Sequence, residues 1–355
     1  MKKRLTYLMV LLTIMLVCPL SNAETKRILA VGNSFSYDAI LQELLPVVRS
    51  GGDDLVVGFP YKGGTTLQQH WQYINNKDKI YNYYTIKNGK TTSTGSNTKC
   101  LDESIIASEP WDVVVIQTDH NYSGVYDHYF PYLDNLIAYL REHLTNKNAK
   151  FYLYMTWAYQ NGSAKIAELV KKGLYKDQAD QYAKITDCAS RAAVQSGIGV
   201  DNIIPAGTAV QNGRTSYLGD SFNRDGYHLD LLHGRYTASL TWYAKIYGKS
   251  PYDVTYRPAE MSDFCATVCK KAVAEALATQ FSVTSLQEEF GVNPDATFNV
   301  VDRPVYVNFG LATGYADNNA DVWNSLTSNV AGSSIRNIYN NRGYGTDICL
   351  SIEDA

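Results

Sequence analysis

Ser34 stands where a short apolar run over residues 28–31 ends in Gly32 and gives way to a helix predicted over 38–48. The serine therefore sits at a strand-to-helix corner, and in open α/β sheets ligands bind beyond the carboxyl ends of the strands. A helix that begins there also offers free N–H groups to an anion. Ser34 is a candidate nucleophile, although a helix-capping role for Ser34 or Ser36 explains this stretch equally well by itself.

Asp225 and His228 form a second cluster, three residues apart in a polar loop over 219–229 that contains Gly226. At this spacing the carboxylate can hold one imidazole nitrogen while the other faces outward. Taken alone, a solvated turn whose Asp caps the next helix is the simpler interpretation. Together with Ser34, however, these residues supply the hydroxyl, the proton acceptor and the orienting carboxylate that nucleophilic acyl transfer needs.

Five apolar runs predict the strands that would carry these residues, and four of them are near-continuous, as in strands covered on both faces. They alternate with helical stretches, which favours a parallel sheet with crossover helices. We therefore expect an α/β fold, a flavodoxin-like three-layer α/β/α arrangement with a five-stranded parallel sheet in the order 2-1-3-4-5. The predicted strands cover residues 28–31, 55–59, 113–116, 151–155 and 202–204.

One insertion, over residues 81–100, interrupts this alternation. Asn88-Gly89 lies there between β-prone residues, which is a strong signal for a β-hairpin. The hairpin follows the second strand, so it could form a wall of the site. A hairpin that lies on the surface and takes no part in the site is an equally good interpretation.

The amino terminus has the pattern of a secretory signal peptide over residues 1–23. Three basic residues precede an uncharged stretch whose apolar centre, around residues 8–17, is too short to span a bilayer comfortably. The stretch ends in Ser21-Asn22-Ala23, a pattern suited to signal peptidase. Cys18 raises a lipoprotein alternative, which Val17 makes the weaker one. We expect an exported protein, periplasmic or secreted, whose mature chain has no integral membrane segment.

Charge and composition exclude some partners and suggest another. Beyond residue 23 the chain has 29 Lys and Arg against 35 Asp and Glu, so it lacks the basic field that nucleic acid requires. Its 28 tyrosines combine a flat apolar face with a hydroxyl, which suits sugar binding as well as ordinary cores. Cys265 and Cys269 follow helical spacing and predict buried free thiols, and no cluster of ligands around them predicts a metal site.

The chain divides into a main domain and a different carboxyl-terminal segment. We expect the main domain over 24–285 and a linker over 286–300. From 301 to 355, alternating β-prone segments separated by Asn, Ser and Gly predict the start of a β-sandwich-like module that is incomplete in this chain.

Two blocks of the sequence resemble those of the SGNH (GDSL) hydrolases over about residues 27–247. Gly32-Asn33-Ser34-Phe35-Ser36 resembles their Gly-Asp-Ser-x-Ser block, and Asp225-Gly226-Tyr227-His228 resembles their Asp-x-x-His block. The chain is similar to a branch of exported SGNH-like proteins that is catalogued as a domain of unknown function. This resemblance implies that Ser34 is the nucleophile, with His228 and Asp225 as its triad partners.

The resemblance also implies an oxyanion hole and exposes departures from the family pattern. The family uses the serine N–H, a glycine N–H and an asparagine side chain, which here correspond to Ser34, to Gly64, and to Gln117 or Asn121, because the Gly-x-Asn-Asp block is missing. Asn33 replaces the acid of the first block. His120 lies beside Asn121, and a loop histidine without a catalytic role is its simpler interpretation.

We therefore predict a serine ester hydrolase that removes acyl groups, such as acetyl, from carbohydrates. Trp157 and Tyr227 would stack on the sugar, and no metal or organic cofactor is implied. Two alternatives remain from the sequence. The first is a hydrolase of lipid or thioester substrates, and the second is a non-catalytic glycan-binding protein on a degenerate SGNH fold.

Overall fold

The computed structural model describes residues 23–292 and, further on, four short strands. The predicted signal peptide therefore lies almost wholly outside the described residues. So does most of the carboxyl-terminal segment, where Tyr306–Phe309 pairs with Trp323–Leu326 and Ser334–Ile335 pairs with Leu350–Ser351. Whether this segment begins a β-sandwich stays a prediction.

A seven-stranded sheet forms the centre of the main domain. Its strands are β1 (Thr25–Val31), β2 (Asp54–Tyr61), β3 (Asn82–Lys87), β4 (Lys90–Ser93), β5 (Val113–Gln117), β6 (Lys150–Tyr154) and β7 (Ile203–Ile204). Their spatial order is β4-β3-β2-β1-β5-β6-β7. The five parallel strands thus follow the predicted order 2-1-3-4-5, which confirms that part of the fold prediction.

The predicted count of five strands is wrong, because the hairpin over 82–93 joins the same sheet. Strand β3 pairs antiparallel with β2, with Tyr84 opposite Phe59, and β4 pairs with β3. Asn88 and Gly89 take φ values of 53° and 74°, which suits the two-residue hairpin turn that their sequence predicts. The hairpin extends the sheet at its β2 edge rather than lying loose on the surface.

Helices cover both faces of the sheet, which makes three layers. In β1, Ile28 and Ala30 face one hydrophobic core while Leu29 and Val31 face the other, as a strand buried on both sides requires. The helices are α1 (Ser34–Ile40), α2 (Leu44–Ser50), α3 (Leu67–Asn76), α4 (Glu103–Ile106), α5 (Tyr132–His143), α6 (Ala164–Lys171), α7 (Gln178–Gln195), α8 (Ala206–Arg214), α9 (His233–Tyr247), α10 (Asp263–Ala278) and α11 (Gln287–Phe290).

Two boundaries of the structure differ from those predicted, one at a helix and one at the linker. The single helix predicted over 38–48 is two helices, and the first begins at Ser34 rather than four residues later. The linker predicted from 286 begins too early, since Leu286 and Phe290 are buried in the main core.

Cys265 and Cys269 are buried free thiols on α10, as predicted. Over residues 23–292, none of the helices has the length and apolar character needed to cross a bilayer.

Candidate active site

Ser34 is the first residue of α1 and follows β1 by two residues, so the corner is tight. Gly32 is required there, because a Cβ atom at this position would lie 2.3 Å from Ser36 Oγ and 2.8 Å from Gln117 Oε1. Asn33 caps the helix, its side-chain oxygen accepting the N–H of Phe35. The capping role that the sequence left open for a serine therefore belongs to Asn33.

The structure brings Ser34, His228 and Asp225 together although Ser34 and His228 are 194 residues apart in sequence. His228 Nε2 lies 2.9 Å from Ser34 Oγ, and His228 Nδ1 lies 2.7 Å from Asp225 Oδ2. A carboxylate can only accept, so Nδ1 carries the proton and Nε2 is free to accept the Ser34 hydroxyl proton. This is the arrangement that a general base beside a nucleophile needs.

Local backbone geometry explains why the Asp-x-x-His spacing works. Gly226 takes a φ of +88°, which turns the chain so that Asp225 Oδ1 also accepts the backbone N–H of His228 at 2.8 Å. Burial by itself would raise the pKa of the Asp225 carboxyl, but the hydrogen bond from His228 and its charge lower that pKa below its ordinary value. The carboxylate stays ionised at neutral pH and fixes the imidazole.

A buried ion-pair network holds the two halves of this site against each other. Asp38 is 0% exposed on α1, and it accepts hydrogen bonds from Arg224 at 3.0 Å, from Arg235 at 2.8 Å and from the N–H of Leu229 at 3.0 Å. The network ties the nucleophile helix to both sides of the His228 loop. The sequence analysis missed these three charged residues; the only local signal was an acid one helical turn after Ser34.

Gln117 does not serve as the oxyanion donor that the sequence analysis proposed. Its Oε1 accepts from Ser36 N at 2.8 Å and Ser36 Oγ at 2.7 Å, while its Nε2 donates to Asn33 Oδ1 at 2.8 Å and to Thr118 O at 3.0 Å. Both hydrogens of the Gln117 amide are therefore engaged in hydrogen bonds within the protein, and neither is available to an oxyanion. Gln117 is a positioning residue that pins the nucleophile turn to the end of β5.

Asn33 gains a contact that the acid of the resembled block could not make. Its Nδ2 donates to Thr65 O at 3.0 Å, and an ionised carboxylate would instead face that carbonyl with a second acceptor. The bond draws the loop after β2 to the nucleophile, and with it Gly64. The departure at Asn33 is therefore compatible with the geometry of the corner.

Two backbone N–H groups are free to meet an oxyanion. In the first turn of α1, Phe35 N bonds to Asn33 Oδ1, Ser36 N to Gln117 Oε1, and Tyr37 N to Asn33 O, which leaves only the N–H of Ser34. The N–H of Gly64 likewise has no partner within residues 23–292. Gly64 is exposed and takes a φ of +69°, and a Cβ atom built on it would meet nothing within 4 Å.

Two side chains of the loop after β5 could supply a third donor. Asn121 accepts a hydrogen bond from Tyr159 at its amide oxygen, at 2.8 Å, so its NH₂ group remains free. His120 Nδ1 lies 3.4 Å from the donor Asn33 Nδ2 and equally far from the acceptor Asp119 Oδ1. In the tautomer whose Nδ1 accepts from Asn33, the proton is on Nε2, an atom that solvent reaches. Burial, and then the charges of His228 and Lys165, lower the pKa of His120 to about 4.

The same loop holds an unusual carboxylate. Asp119 Oδ1 lies 3.4 Å from His120 Nδ1, but this is no ion pair at neutral pH because His120 is uncharged there. Burial raises the pKa of Asp119 to about 6, against the lowering effect of nearby backbone N–H groups. Its Oδ2 is buried and without a hydrogen-bond partner among the described residues.

The two aromatic residues that were predicted to stack on a substrate, Trp157 and Tyr227, differ in their exposure to solvent. Trp157 is 0% exposed, stacks on Phe35 with ring centroids 4.4 Å apart, and donates its indole N–H to Tyr227 O at 2.7 Å. Its predicted role is wrong, because the ring lies in the core beneath the site. Tyr227 is half-buried, with its ring centroid 3.9 Å from that of His228, and keeps a place at the rim.

Within the described residues, no group of three or more His, Cys, Asp or Glu side chains is arranged to hold a metal ion.

Comparison with known proteins places the chain in a family. Residues 27–276 match the family model described as domain of unknown function DUF4886. The crystal structure of a DUF4886 family protein from Bacteroides uniformis ATCC 8492 is similar to this chain, with 36% sequence identity and a TM-score of 0.69. That match covers 74% of this chain and 99% of the other.

Two further solved structures are more distant. A protein from Slackia heliotrinireducens described as a candidate SGNH hydrolase is 21% identical, with a TM-score of 0.41, and the match covers 62% of this chain and 99% of that one. TesA is 14% identical, with a TM-score of 0.35, over 63% of this chain and 97% of its own. Likenesses this weak do not bear on the activity, and no curated protein matches significantly. The match over residues 27–276 shows that the chain belongs to the DUF4886 family.

Proposed function

We propose that this protein is a serine ester hydrolase. The observation that carries the proposal is the position of His228, whose two ring nitrogens lie 2.9 Å from Ser34 Oγ and 2.7 Å from Asp225 Oδ2. Further support comes from the unpartnered N–H groups of Ser34 and of Gly64, whose loop Asn33 Nδ2 ties to the nucleophile corner through Thr65 O. Such groups are the donors that a developing oxyanion needs.

In the proposed reaction, Ser34 Oγ attacks the ester carbonyl carbon while His228 Nε2 takes the hydroxyl proton. The tetrahedral intermediate collapses, the alcohol leaves with the proton returned by His228, and the acyl group stays on Ser34 as an ester. Water then attacks that ester with His228 again accepting a proton, which releases the carboxylic acid and restores Ser34. Asp225 remains ionised and stabilises the imidazolium in both halves.

The oxyanion hole of the proposal consists of the N–H groups of Ser34 and Gly64 and a third donor from the loop after β5. We assign the third position to His120, because a neutral imidazole with its proton on Nε2 is a donor at working pH. Asn121 is the neighbouring alternative, since its NH₂ group is also free. Either residue would replace the asparagine of the absent Gly-x-Asn-Asp block.

Acylated carbohydrates are the proposed substrates, with acetyl as the simplest acyl group. Support comes from the predicted signal peptide, the 28 tyrosines and the half-buried Tyr227 beside His228. Export to the periplasm or the medium would bring the protein to such polymers.

The direct test is hydrolysis of p-nitrophenyl acetate and of an acetylated polysaccharide by the purified chain. We expect Ser34→Ala to lower kcat/KM by about 10⁴-fold or more. Ser221→Ala is the matched control, because Ser221 also contacts a histidine but is buried, and this variant should keep the activity within a few-fold. A fluorophosphonate probe should modify Ser34, as located by peptide mass spectrometry.

Activity that survives Ser34→Ala would overturn the mechanism, and absence of hydrolysis on every ester would overturn the proposed activity. A series of p-nitrophenyl esters of increasing chain length tests the substrate class, since a lipid hydrolase would prefer the long chains.

A further inference from the structure

Three tyrosines form an aromatic cluster beside the nucleophile, which we call the tyrosine shelf: Tyr37, Tyr61 and Tyr84. Their ring centroids lie 5.2 Å (Tyr37–Tyr61), 5.8 Å (Tyr37–Tyr84) and 5.9 Å (Tyr61–Tyr84) apart. Phe59 is fully buried beneath them, 5.6 Å from Tyr61 and 6.4 Å from Tyr84. The three shelf residues are half-buried, so each is partly open to solvent.

The shelf lies at the proposed active site. Tyr37 follows Ser34 by one turn of α1, and Tyr61 forms a β-bridge with Gly32, directly before the nucleophile corner. A Cβ atom built on Gly63 would lie 3.2 Å from the Tyr61 hydroxyl, so this hydroxyl reaches the turn that carries Gly64. The shelf therefore borders both the nucleophile corner and the turn that carries Gly64.

The hairpin supplies the third member of the shelf. Tyr84 lies on β3 opposite Phe59, and it packs against the same core as Tyr37 and Tyr61. Its neighbour Tyr83 faces the other core, as alternation along a strand requires, with its hydroxyl 3.5 Å from Ser108 Oγ. The insertion thus contributes one tyrosine to the site and one to the opposite face.

The hydroxyl groups of the shelf have no hydrogen-bond partner in the described part of the chain, and none of them is buried from solvent. Several other tyrosine hydroxyls of the domain are bonded: Tyr81 bonds to His70 at 2.8 Å, and Tyr247 bonds to a backbone carbonyl at 2.7 Å. The shelf therefore presents apolar ring surface together with three free polar groups.

These features discriminate between ligands. An acyl chain lying on the shelf would strip water from three hydroxyl groups and give them no partner, which is unfavourable. The ring of a sugar would cover the apolar faces with its C–H groups and pair its own hydroxyls with those of the tyrosines. Arg224 and Arg235, the arginines near Tyr37, are paired with Asp38, which offsets their charge.

We propose that the tyrosine shelf is a glycosyl subsite that binds a ring of a neutral carbohydrate next to Ser34. The inference deepens the proposed function, on which it rests for the ester that the bound sugar would carry. Carbohydrate binding to the shelf does not itself require hydrolysis, so the two ideas can be tested separately.

The test measures the binding of neutral oligosaccharides to the full chain by isothermal titration calorimetry. Xylohexaose, mannohexaose and cellohexaose are titrated separately. Tyr84→Ala should weaken binding at least tenfold, and Tyr84→Leu, which keeps apolar volume over Phe59, should weaken it similarly. Tyr83→Ala is the control from the same strand and should bind as the wild type does. Circular dichroism melting shows that each variant is folded.

Equal binding by Tyr84→Leu and wild type, or no binding of any of the three oligosaccharides, would overturn the subsite. A chain that binds xylohexaose through Tyr84 but hydrolyses no ester would support the subsite and contradict the proposed function. If Tyr84→Ala instead lowers kcat/KM most for long-chain p-nitrophenyl esters while Tyr84→Leu keeps it, the shelf binds acyl chains and the proposal fails.

Discussion

Two Ser–His–Asp clusters lie side by side in this domain, and both use an Asp-x-x-His segment. The first is Ser34, His228 and Asp225, and the second is Ser221, His233 and Asp230. In the second cluster His233 Nε2 is 2.7 Å from Ser221 Oγ, no farther than the 2.9 Å between His228 and Ser34. Proximity of the three side chains is therefore not what distinguishes them.

The remaining contacts of each residue separate the clusters. His233 Nε2 also lies 3.1 Å from the carbonyl oxygen of Ser221, and a carbonyl only accepts, so Nε2 is the donor there and cannot take a serine proton. Asp230 caps α9 by accepting the N–H groups of Leu232 and His233. In the first cluster, by contrast, His228 Nε2 has Ser34 Oγ as its only hydrogen-bond partner among the described residues.

Access is the second difference. Ser221 and His233 are each 2% exposed, whereas the side chains of His228 and Asp225 are 16% and 29% exposed. The first cluster also has the free N–H groups of Ser34 and Gly64 beside it. The same three residue types therefore stabilise a helix terminus where they are buried and fully hydrogen-bonded. The open and incompletely bonded cluster is the one to which we assign the proposed chemistry.

The largest expected effect comes from exchanging the two histidines for alanine. His228→Ala should lower kcat/KM on p-nitrophenyl acetate by about 10⁴-fold with little change in stability. His233→Ala should keep activity within about tenfold but lose about 2–4 kcal/mol of unfolding free energy, because it opens a cavity and leaves Ser221 unpaired. Steady-state kinetics and urea denaturation measure both. Equal losses of kcat/KM in the two folded variants would break the comparison.

The next largest effect concerns Asp38 and the two arginines that hold α1 against the His228 loop. Asp38→Asn should destabilise the fold by about 3–5 kcal/mol, because Arg224 and Arg235 lose their buried carboxylate. It should also lower kcat, since the His228 loop is no longer fixed to α1. Asp53→Asn is the matched control: it breaks a buried contact to Lys249 away from the site. That variant should lose stability while the folded protein keeps its kcat, and a parallel fall in kcat would contradict a positioning role for Asp38.

A third variant tests whether His120 is an oxyanion donor of the first cluster. His120→Ala should lower kcat by about 10²–10³-fold with little change in KM, the usual effect of removing one oxyanion donor. Because burial and neighbouring charges hold the pKa of His120 at about 4, the ratio to wild type should be constant from pH 5.5 to 8. Asn121→Ala is the comparison; if it shows the loss and His120→Ala does not, the third donor is Asn121.

The smallest effect is on stability and has a defined pH dependence. Since the folded-state pKa of Asp119 is raised to about 6, the carboxyl favours folding while protonated, below its unfolded-state value of about 3.9, and that stability is lost as the pH rises through 6. Asp119→Asn removes this loss and should be about 2 kcal/mol more stable than wild type at pH 8.

The advantage of Asp119→Asn should disappear near pH 4, as measured by urea denaturation at several pH values. Asp127→Asn changes an exposed acid of the same loop and should stay within about 0.5 kcal/mol of wild type throughout. A constant difference between Asp119→Asn and wild type at all pH values would show that the Asp119 carboxyl is not perturbed.

Much of the fold was predictable because the sequence patterns that indicate it extend over only a few neighbouring residues. Continuous apolar runs such as 113–116 identify strands buried on both faces, and their alternation with helices is enough to predict a parallel sheet and the order of its five strands. Asn88-Gly89 predicted a hairpin, but its pairing with β2 depends on contacts between residues that are distant in sequence. The split between α1 and α2 was missed because both halves are apolar on one face.

The site was predictable only in part. Ser34 and the Asp225–His228 pair carry their own local signatures, a strand-to-helix corner and a glycine turn. Gln117 and Trp157 were misassigned because residue type and proximity to a strand end do not reveal that an amide is already bonded or that a ring is buried. Asp38 gave almost no signal, since its partners lie 186 and 197 residues away.

The amino-acid sequence by itself determined the strand pattern, the family blocks and the candidate residues, because each depends on neighbours a few positions apart. Only the tertiary structure decided which Asp-x-x-His faces a reachable serine, which donors remain unbonded, and how the tyrosines of α1, β2 and β3 meet. The physical reason is that the exposure and hydrogen-bond saturation of a side chain are set by packing partners from distant parts of the chain, which no local spacing encodes.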